Sequence, residues 1–168
     1  KIARDFGLVD GTDSYKKIVS SYKQPEMGNK THSRIQVSTK SFTAADKKYW
    51  AKYDITIEDL QRDSVYSVKE IYINRQKYPI GVNELCYCYW YPEGMKIYMP
   101  EREKTKKWLS SIPTSKVEGL ETLNGHPEVI CTKSKKDRIV LSKIFPELEI
   151  INVQNESSSA FTEELREK

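Results

Sequence analysis

Hydrophobic and polar positions follow a strand-like pattern through the middle of the chain. Residues 65–99 contain short apolar runs rich in Val, Ile and Tyr, separated by turn-forming residues. Alternation with a period of two, together with β-branched and aromatic residues, is typical of strands. We therefore predict an antiparallel meander over residues 65–109, preceded by a short strand at Ile35 and Val37. Its strands are expected at residues 65–74, 84–91 and 96–99.

Two threonines mark the starts of short helices before this meander. Thr43 precedes a helix-forming run that ends near Lys52, and Thr56 precedes an acidic pair and Leu60. A threonine hydroxyl can accept a hydrogen bond from a backbone N–H of the first helical turn, which makes threonine common at the N-cap. We predict two short helices, one after each threonine.

The last third of the chain changes to a pattern of strand, helix, strand. Residues 129–131 and 149–153 are apolar runs, and Ser134 opens a helical segment between them. This spacing predicts a βαβ unit with a parallel strand pair. The loops at the carboxyl ends of such strands, here residues 132–137 and 154–159, commonly carry function. The helix residues expected to share one apolar face are Val140, Leu141 and Ile144.

These patterns divide the chain into three parts and predict its fold class. Residues 1–40 are polar and turn-rich, as in a linker or docking arm, although they include the short strand at Ile35. Residues 41–124 hold the short helices and the meander, and residues 125–168 hold the βαβ unit. The predicted class is mixed α/β of the α+β type: an antiparallel meander with short helices, followed by a βαβ unit.

The amino-acid composition indicates the cellular compartment of the protein but does not identify its activity. Among 168 residues, 28 Lys and Arg face 24 Asp and Glu, and this mild excess does not by itself imply a polyanionic partner. No apolar stretch approaches a membrane span or a signal peptide. Three cysteines, an odd number, do not form a disulfide framework and fit a reducing compartment. We expect a cytoplasmic protein without a membrane partner.

The cysteines and histidines do not form a metal-binding pattern in the sequence. Cys86 and Cys88 are two residues apart on a predicted strand and point to one face, but no second Cys or His pair accompanies them. We expect them to be buried as small apolar residues. His32 and His126 are isolated, and neither is expected to be a ligand or a base.

The junction between the first strand and the helix of the βαβ unit concentrates polar chemistry. Thr132, Lys133, Ser134, Lys135 and Asp137 follow one another where the strand ends and the helix begins. Free N–H groups at such a helix start favour an anion. The same residues also allow a purely structural interpretation, because Ser134 and Asp137 match the capping pattern Ser-x-x-acid. Periodicity alone favours the capping interpretation.

A second candidate site is a run of basic residues with aromatic residues between them. Single-stranded nucleic acid is held by neutralised phosphates and by bases stacked on aromatic rings, and this run offers both groups. The alternative is a solvated hairpin whose tryptophan packs inward. The residues of this run are Lys96, Tyr98, Arg102, Lys104, Lys106, Lys107 and Trp108.

Several segments of the chain resemble a family of phage DNA primases. The most specific is Thr132 to Asp137, which together with residues 149–157 resembles the start of the Toprim domain of that family. The resemblance covers about residues 40–160, and its other segments fall in the family's order. These segments are residues 46–50, 53–55, 96–100, 107–108 and 119–123.

The resemblance implies a function and roles for particular residues. Such a primase binds single-stranded DNA and nucleoside triphosphates and synthesises RNA primers with Mg²⁺ or Mn²⁺, and a replicative helicase is a possible partner. Residues 41–124 would be the template-binding segment before the Toprim domain, and residues 125–168 its truncated start. A phage-encoded protein would act in the host cytoplasm. The implied roles are metal ligand for Asp137, second-strand acid for Glu156, catalytic and phosphate contact for Lys133, and phosphate contacts for Ser134 and Lys135.

Two departures from the family pattern leave alternatives open. Lys133 and Ser134 stand where the usual Toprim motif has Glu and Gly, and an ammonium group cannot bind a metal. The Asp-x-Asp pair of Toprim enzymes does not occur before Lys168. We therefore expect a chain truncated through the active site and inert by itself. The alternatives are a non-catalytic single-strand-binding module with a degenerate Toprim fold, and a repair-type Toprim nuclease.

Overall fold

The computed structural model describes residues 34–154, and these form the mixed α/β fold predicted from the sequence. The described helices are α1 (Ala44–Ala51), α2 (Ile57–Arg62) and α3 (Lys135–Ile144), with single 3₁₀ turns at Lys104–Lys106 and Leu120–Thr122. The described strands are β1 (Ile35–Lys40), β2 (Val65–Ile73), β3 (Gln76–Tyr78), β4 (Tyr87–Tyr91), β5 (Gly94–Tyr98), β6 (Trp108–Ser110), β7 (Val129–Thr132) and β8 (Glu149–Asn152).

Both predicted threonine caps are present at the starts of α1 and α2. The Thr43 and Thr56 side chains accept hydrogen bonds from the backbone N–H groups of Asp46 and Asp59, and each aspartate accepts one in return from its threonine. These reciprocal bonds satisfy backbone donors that a helix start would otherwise leave unpaired. Asp46 is fully buried and also accepts from the Ser67 hydroxyl at 3.1 Å, so the cap ties α1 to the sheet.

The antiparallel meander has the strand order β1-β2-β4-β5-β6, and the short β3 pairs with β2. In register across the sheet, Tyr87 faces Tyr98 and Tyr98 faces Trp108. β1 lies within the segment expected to be an arm and pairs with β2, so the sheet includes residues 35–40. The remainder of that arm, residues 1–33, lies outside the described residues.

The sheet separates two apolar clusters, one on each face. On the first face Trp50 and Leu60, both with no exposed surface, pack with the tyrosines of β4 and with Ile139 of α3. On the second face Cys86, Cys88 and Ile97 belong to the other cluster. The cysteines are buried as expected, and burial raises the pKa of each thiol to about 12.

The βαβ unit has the predicted parallel pair, since β7 and β8 run parallel with Val129 opposite Glu149. The predicted apolar face of its helix is wrong. Ile139 is the buried apolar residue of α3, whereas Val140 and Leu141 are half-buried and Ile144 is 58% exposed. The inner side of the helix is partly charged, because Lys135 pairs with Glu118 in the preceding loop and Arg138 pairs with Asp63 at the end of α2.

A loop before the βαβ unit joins it to the rest of the fold. Glu118 and Asn152 exchange two backbone hydrogen bonds, of 2.9 and 3.0 Å, in an isolated bridge. Gly119 follows with a φ of 89°, and a Cβ at this position would lie 2.8 Å from the Ile150 carbonyl oxygen. The loop and β8 therefore touch backbone to backbone. None of the helices between residues 34 and 154 is long and apolar enough to cross a membrane.

Candidate nucleic-acid interface

Trp108 lies on β6, at one end of the sheet order, with its indole 38% exposed. Because it is in register with Tyr98 of β5, both side chains point to the same face. The two rings stack with centroids 4.3 Å apart and planes 19° from parallel, and Tyr89 meets the indole edge-on at 5.9 Å. Trp108 is thus a fixed ring with part of its surface open to solvent.

Lys96 is the predicted nucleic-acid contact that lies closest to this ring. Its Nζ is 4.6 Å from the indole centroid. The same ammonium group donates to the Gln154 carbonyl oxygen at 3.1 Å and to the Gln154 side-chain oxygen at 3.2 Å. Burial lowers its pKa. Lys96 is therefore engaged within the protein and supports the ring, rather than standing free in solvent.

Three further lysines precede Trp108 in the connection between β5 and β6. Lys104 and Lys106 are exposed on a 3₁₀ turn, and Lys107 is half-buried. Lys106 has Glu103 at 3.6 Å, with both side chains more than two-thirds exposed, and such a surface pair contributes little stability. These lysines give the connection before the indole a positive charge at little cost to the fold.

Arg102, in contrast, is committed to the fold. Its guanidinium group binds both carboxylate oxygens of Glu84, the Tyr78 hydroxyl at 3.0 Å and the Pro79 carbonyl oxygen at 2.8 Å. The Arg102 hydrogen bond holds the pKa of Glu84 below its usual value. The structure therefore places Arg102 as a clamp on the loop between β3 and β4, which does not favour its predicted role as a template contact.

The strand-helix junction at the end of β7 forms a shallow hollow. Ser134 is the N-cap of α3, and its hydroxyl accepts from the Asp137 backbone N–H at 3.1 Å. The reciprocal bond of a full capping box is missing, because the Asp137 carboxylate does not accept from the Ser134 backbone N–H. Lys133 is exposed at the rim. The hollow is lined by Cys131, Thr132, Lys133, Asp137, Leu141 and Val153.

Lys135, a predicted phosphate contact, does not face this hollow. Its side chain is 5% exposed and its Nζ lies 3.1 Å from a carboxylate oxygen of Glu118, whose side chain is 4% exposed. The ammonium group also donates to the Asp63 carbonyl oxygen at 3.0 Å and lies 4.7 Å from the Tyr91 ring centroid. Because its charge is already balanced inside the protein, this placement does not favour phosphate binding by Lys135.

A buried polar cluster around Glu118 was not anticipated from the sequence. The carboxylate accepts from the Tyr91 hydroxyl at 2.6 Å and from the side-chain amides of Asn152 and Gln154, both at 3.1 Å. Burial raises the pKa of Glu118, but the Lys135 charge and these hydrogen bonds lower it by more, so it stays below its usual value. The Glu118 cluster consists of Glu118, Lys135, Tyr91, Asn152 and Gln154.

A sequence signal for this cluster did exist. Glu118 follows Val117 and precedes Gly119-Leu120, and Asn152 interrupts an apolar run at Ile151 and Val153. A polar residue inside a short apolar run is buried with its neighbours, and a buried polar group needs a hydrogen-bonding partner. Gln154 belongs both to this cluster and to the Lys96 contact, so the cluster is linked to the Trp108 ring.

The described part of the chain has few side chains that could bind the implied metal ion. Between residues 34 and 154, no three His, Cys, Asp or Glu side chains gather as a metal-binding group. The hollow offers Asp137 as its carboxylate, beside the Lys133 cation, and Glu156 lies outside the described residues. Mg²⁺ requires near-octahedral oxygen coordination. Asp137 alone does not fit such a site.

A cleft of about 1020 Å³ includes Lys135 in its lining but no other predicted site residue of the described chain. Its walls include His126 and Glu149, near the opposite ends of β7 and β8 from the hollow. Its two arginines are paired, since Arg62 and Arg138 both contact the Asp63 carboxylate. The His126 ring bonds only to backbone atoms of Glu128, and the His126 backbone N–H donates to the Glu149 carboxylate at 3.3 Å. The cleft also has an exposed ring, Trp90, and an exposed cation, Arg62, but Arg62 is paired with Asp59 and Asp63.

Comparisons with known proteins add no relative. No protein-family model, curated protein or solved structure matches this chain.

Proposed function

We propose that this chain binds single-stranded DNA along β6, as the template-holding segment of a phage-type DNA primase. The observation that carries the proposal is the Trp108 ring, which is fixed by Tyr98 and partly open to solvent. A ring already held in place loses little freedom when a base stacks on it, and every base has a face that can stack.

The lysines of the β5–β6 connection supply the second requirement of such an interface. Lys104 and Lys106 are exposed, and Lys107 directly precedes the ring. Phosphate contacts of this kind release counterions and make binding depend on salt, without reading sequence. A basic surface beside a stacking ring is the arrangement used by proteins that bind single strands with little sequence preference.

The primase part of the proposal rests on the motif resemblance. In a complete protein, the divalent cation would neutralise the phosphates of the reacting nucleotides. The residues of this chain would hold the template, and exposed Lys133 would approach a phosphate at the hollow. Synthesis of RNA primers from nucleoside triphosphates is proposed for the longer protein, with a replicative helicase as a possible partner.

Fluorescence anisotropy with a labelled single-stranded oligonucleotide tests the proposed interface. Trp108→Ala should weaken binding by about 1–3 kcal/mol, the contribution of one stacked base. Trp90→Ala is the matched control, because that indole is 49% exposed and lies one residue from Tyr89 and Tyr91, on the other face of the sheet. Equal effects of the two variants, or no binding by the original protein, would exclude the interface.

A non-catalytic single-strand-binding module is the second candidate function. Lys133 favours it, since a cation stands at the rim of the hollow in place of the usual Toprim glutamate. Primer synthesis by the longer protein separates the two candidates. The primase proposal predicts primers that Asp137→Asn abolishes, and the module predicts no primers from either protein.

A further inference from the structure

The Trp108 ring is one end of a continuous series of aromatic contacts. Trp108 stacks on Tyr98, Tyr98 contacts Tyr49 of α1, and Tyr49 contacts Tyr53 just beyond that helix. The three successive centroid distances are 4.3, 6.4 and 5.7 Å. A hydrogen bond of 2.9 Å between the Tyr49 and Tyr98 hydroxyls fixes the middle of the series. The two ends are thus held at a set spacing.

The far end of the series carries cations, as the Trp108 end does. Lys136 of α3 places its Nζ 3.7 Å from the Tyr53 ring centroid. Lys52 is exposed, and its Nζ lies 5.8 Å from the Tyr49 ring centroid. The Tyr49 hydroxyl, Lys136 and Lys52 together lower the pKa of the Tyr53 hydroxyl. The two ammonium groups therefore lie against the two neighbouring rings at this end of the series, Lys136 at Tyr53 and Lys52 at Tyr49.

The acid nearest in sequence does not neutralise this cation pair. Asp54 follows Tyr53, but its carboxylate lies 3.3 Å from Lys143. Lys136, unlike its neighbour Lys135, has no carboxylate partner among the described residues, and neither has Lys52. Two unpaired ammonium groups beside a hydroxyl donor suit an oxyanion with several acceptor oxygens, such as a phosphate.

We infer that Lys52, Tyr53 and Lys136 form a second phosphate-binding site for the same single strand that stacks on Trp108. This inference rests on the proposed function, because Trp108 supplies the other end of the path. Tyr98 and Tyr49 are almost fully buried, so they set the spacing between the two ends and are not stacking platforms. The path gives the protein a footprint of several nucleotides instead of one stacked base.

Salt titrations of binding test the site with a charge-matched control. The ligand is an oligothymidylate of about 12 nucleotides, within the range that one single-strand-binding module occupies. Lys52→Gln combined with Lys136→Gln should weaken binding and reduce the slope of log affinity against log salt by about 0.7 for one lost phosphate contact. Lys47→Gln combined with Lys69→Gln removes the same charge from two exposed lysines outside the aromatic series. This control should keep the original slope.

Tyr53→Phe provides a second variant that leaves the charge unchanged. It should weaken binding without changing the salt slope, since it removes a hydrogen-bond donor and no cation. Inorganic phosphate, compared with chloride at equal ionic strength, should not displace the oligonucleotide, because a free anion lacks the stacked base.

The outcomes separate this site from the interface at Trp108. If the lysine pair behaves like its control while Trp108→Ala weakens binding, the second site is wrong and the proposed function stands. If the original protein binds no oligonucleotide, both are wrong. Displacement by inorganic phosphate would overturn the shared path in favour of an isolated anion site.

Discussion

Lysines at two places in this molecule carry the same charge but have different roles, one in folding and the other in the proposed binding. In the Glu118 cluster, Lys135 is almost fully buried and its ammonium group lies against a carboxylate. At the β6 edge, Lys104 and Lys106 are exposed. The first lysine joins α3 to the loop before the βαβ unit, and the other two leave their charge available to a ligand.

The difference shows that burial decides what a cation contributes. A charge removed from water must be balanced by a partner, and the loss of that partner is costly. An exposed charge is screened and can be removed with little effect on stability. The Glu118 cluster should therefore respond to mutation through folding, and the β6 edge through binding.

Glu118→Ala should have the largest effect on stability. It leaves the Lys135 charge buried without its partner, which typically costs about 3–5 kcal/mol. Urea unfolding measures the change. Glu93→Ala is the control, since Glu93 pairs with Lys116 at 2.9 Å but is 44% exposed, and should cost about 1 kcal/mol or less. A similar loss for both variants would contradict the structural role of the cluster.

Acid should weaken the Glu118 cluster in a defined direction. The pKa of Glu118 is lower in the folded protein than its ordinary value of 4.5, so the unfolded chain takes up the proton first. The stability from this group is present above about pH 4.5 and is lost as the pH falls through the folded pKa.

Comparing the original protein with Glu118→Gln isolates this contribution, because the other carboxyl groups act equally in both. The difference in unfolding free energy should shrink as the pH falls below about 4.5. A difference independent of pH would mean that the pKa of Glu118 is the same in the folded and the unfolded protein.

At the β6 edge, Lys106→Ala combined with Lys107→Ala should leave unfolding nearly unchanged and reduce the salt slope of oligonucleotide binding by about one to two units. Both measurements on the same protein distinguish a binding role from a folding role. An unchanged slope would make this connection a solvated surface.

The smallest effect is expected at the start of α3, where the cap and the predicted metal ligand are neighbours. Ser134→Ala should cost about 1 kcal/mol, because it removes the acceptor for the Asp137 backbone N–H. Asp137→Asn should change stability by less, since its carboxylate makes no capping bond. If urea unfolding showed the same loss of stability for both variants, the Asp137 carboxylate would also contribute to the cap.

Local patterns in the sequence predicted most elements of the fold, without β3 and β6, but they did not predict the partners of charged residues. Alternating residues predicted β2, β4 and β5, and Thr43 and Thr56 marked two helix starts, because these signals act over a few residues. The pairing of Lys135 with Glu118, or of Arg102 with Glu84, depends on how distant segments meet. The apolar face of α3 was predicted wrongly for the same reason, since its orientation depends on the distant partners of Lys135 and Arg138.

The candidate site was predicted only in part, because contacts between distant residues decide which of its side chains are available. Trp108, Lys104 and Lys106 are exposed at one edge, as a binding surface requires, and their role stays a prediction. Lys96 was chosen for its charge, yet it is fixed by Gln154, a residue 58 positions away. Tyr53 and Lys136 lay in two separate segments of the resemblance, and nothing in either segment indicated that the folded chain brings the two residues together.

The backbone contact at Gly119 makes tolerance to substitution uneven along the chain. Gly119 and Gly125 have nearly the same φ, 89° and 83°, and both favour glycine for that reason. A side chain at Gly125 would meet no atom within 4 Å, whereas one at Gly119 would strike the Ile150 carbonyl. In a library of variants, asparagine should survive at position 125 and fail at position 119. Because Ile150 makes this contact through its backbone, substitutions of the Ile150 side chain should not make other residues acceptable at position 119.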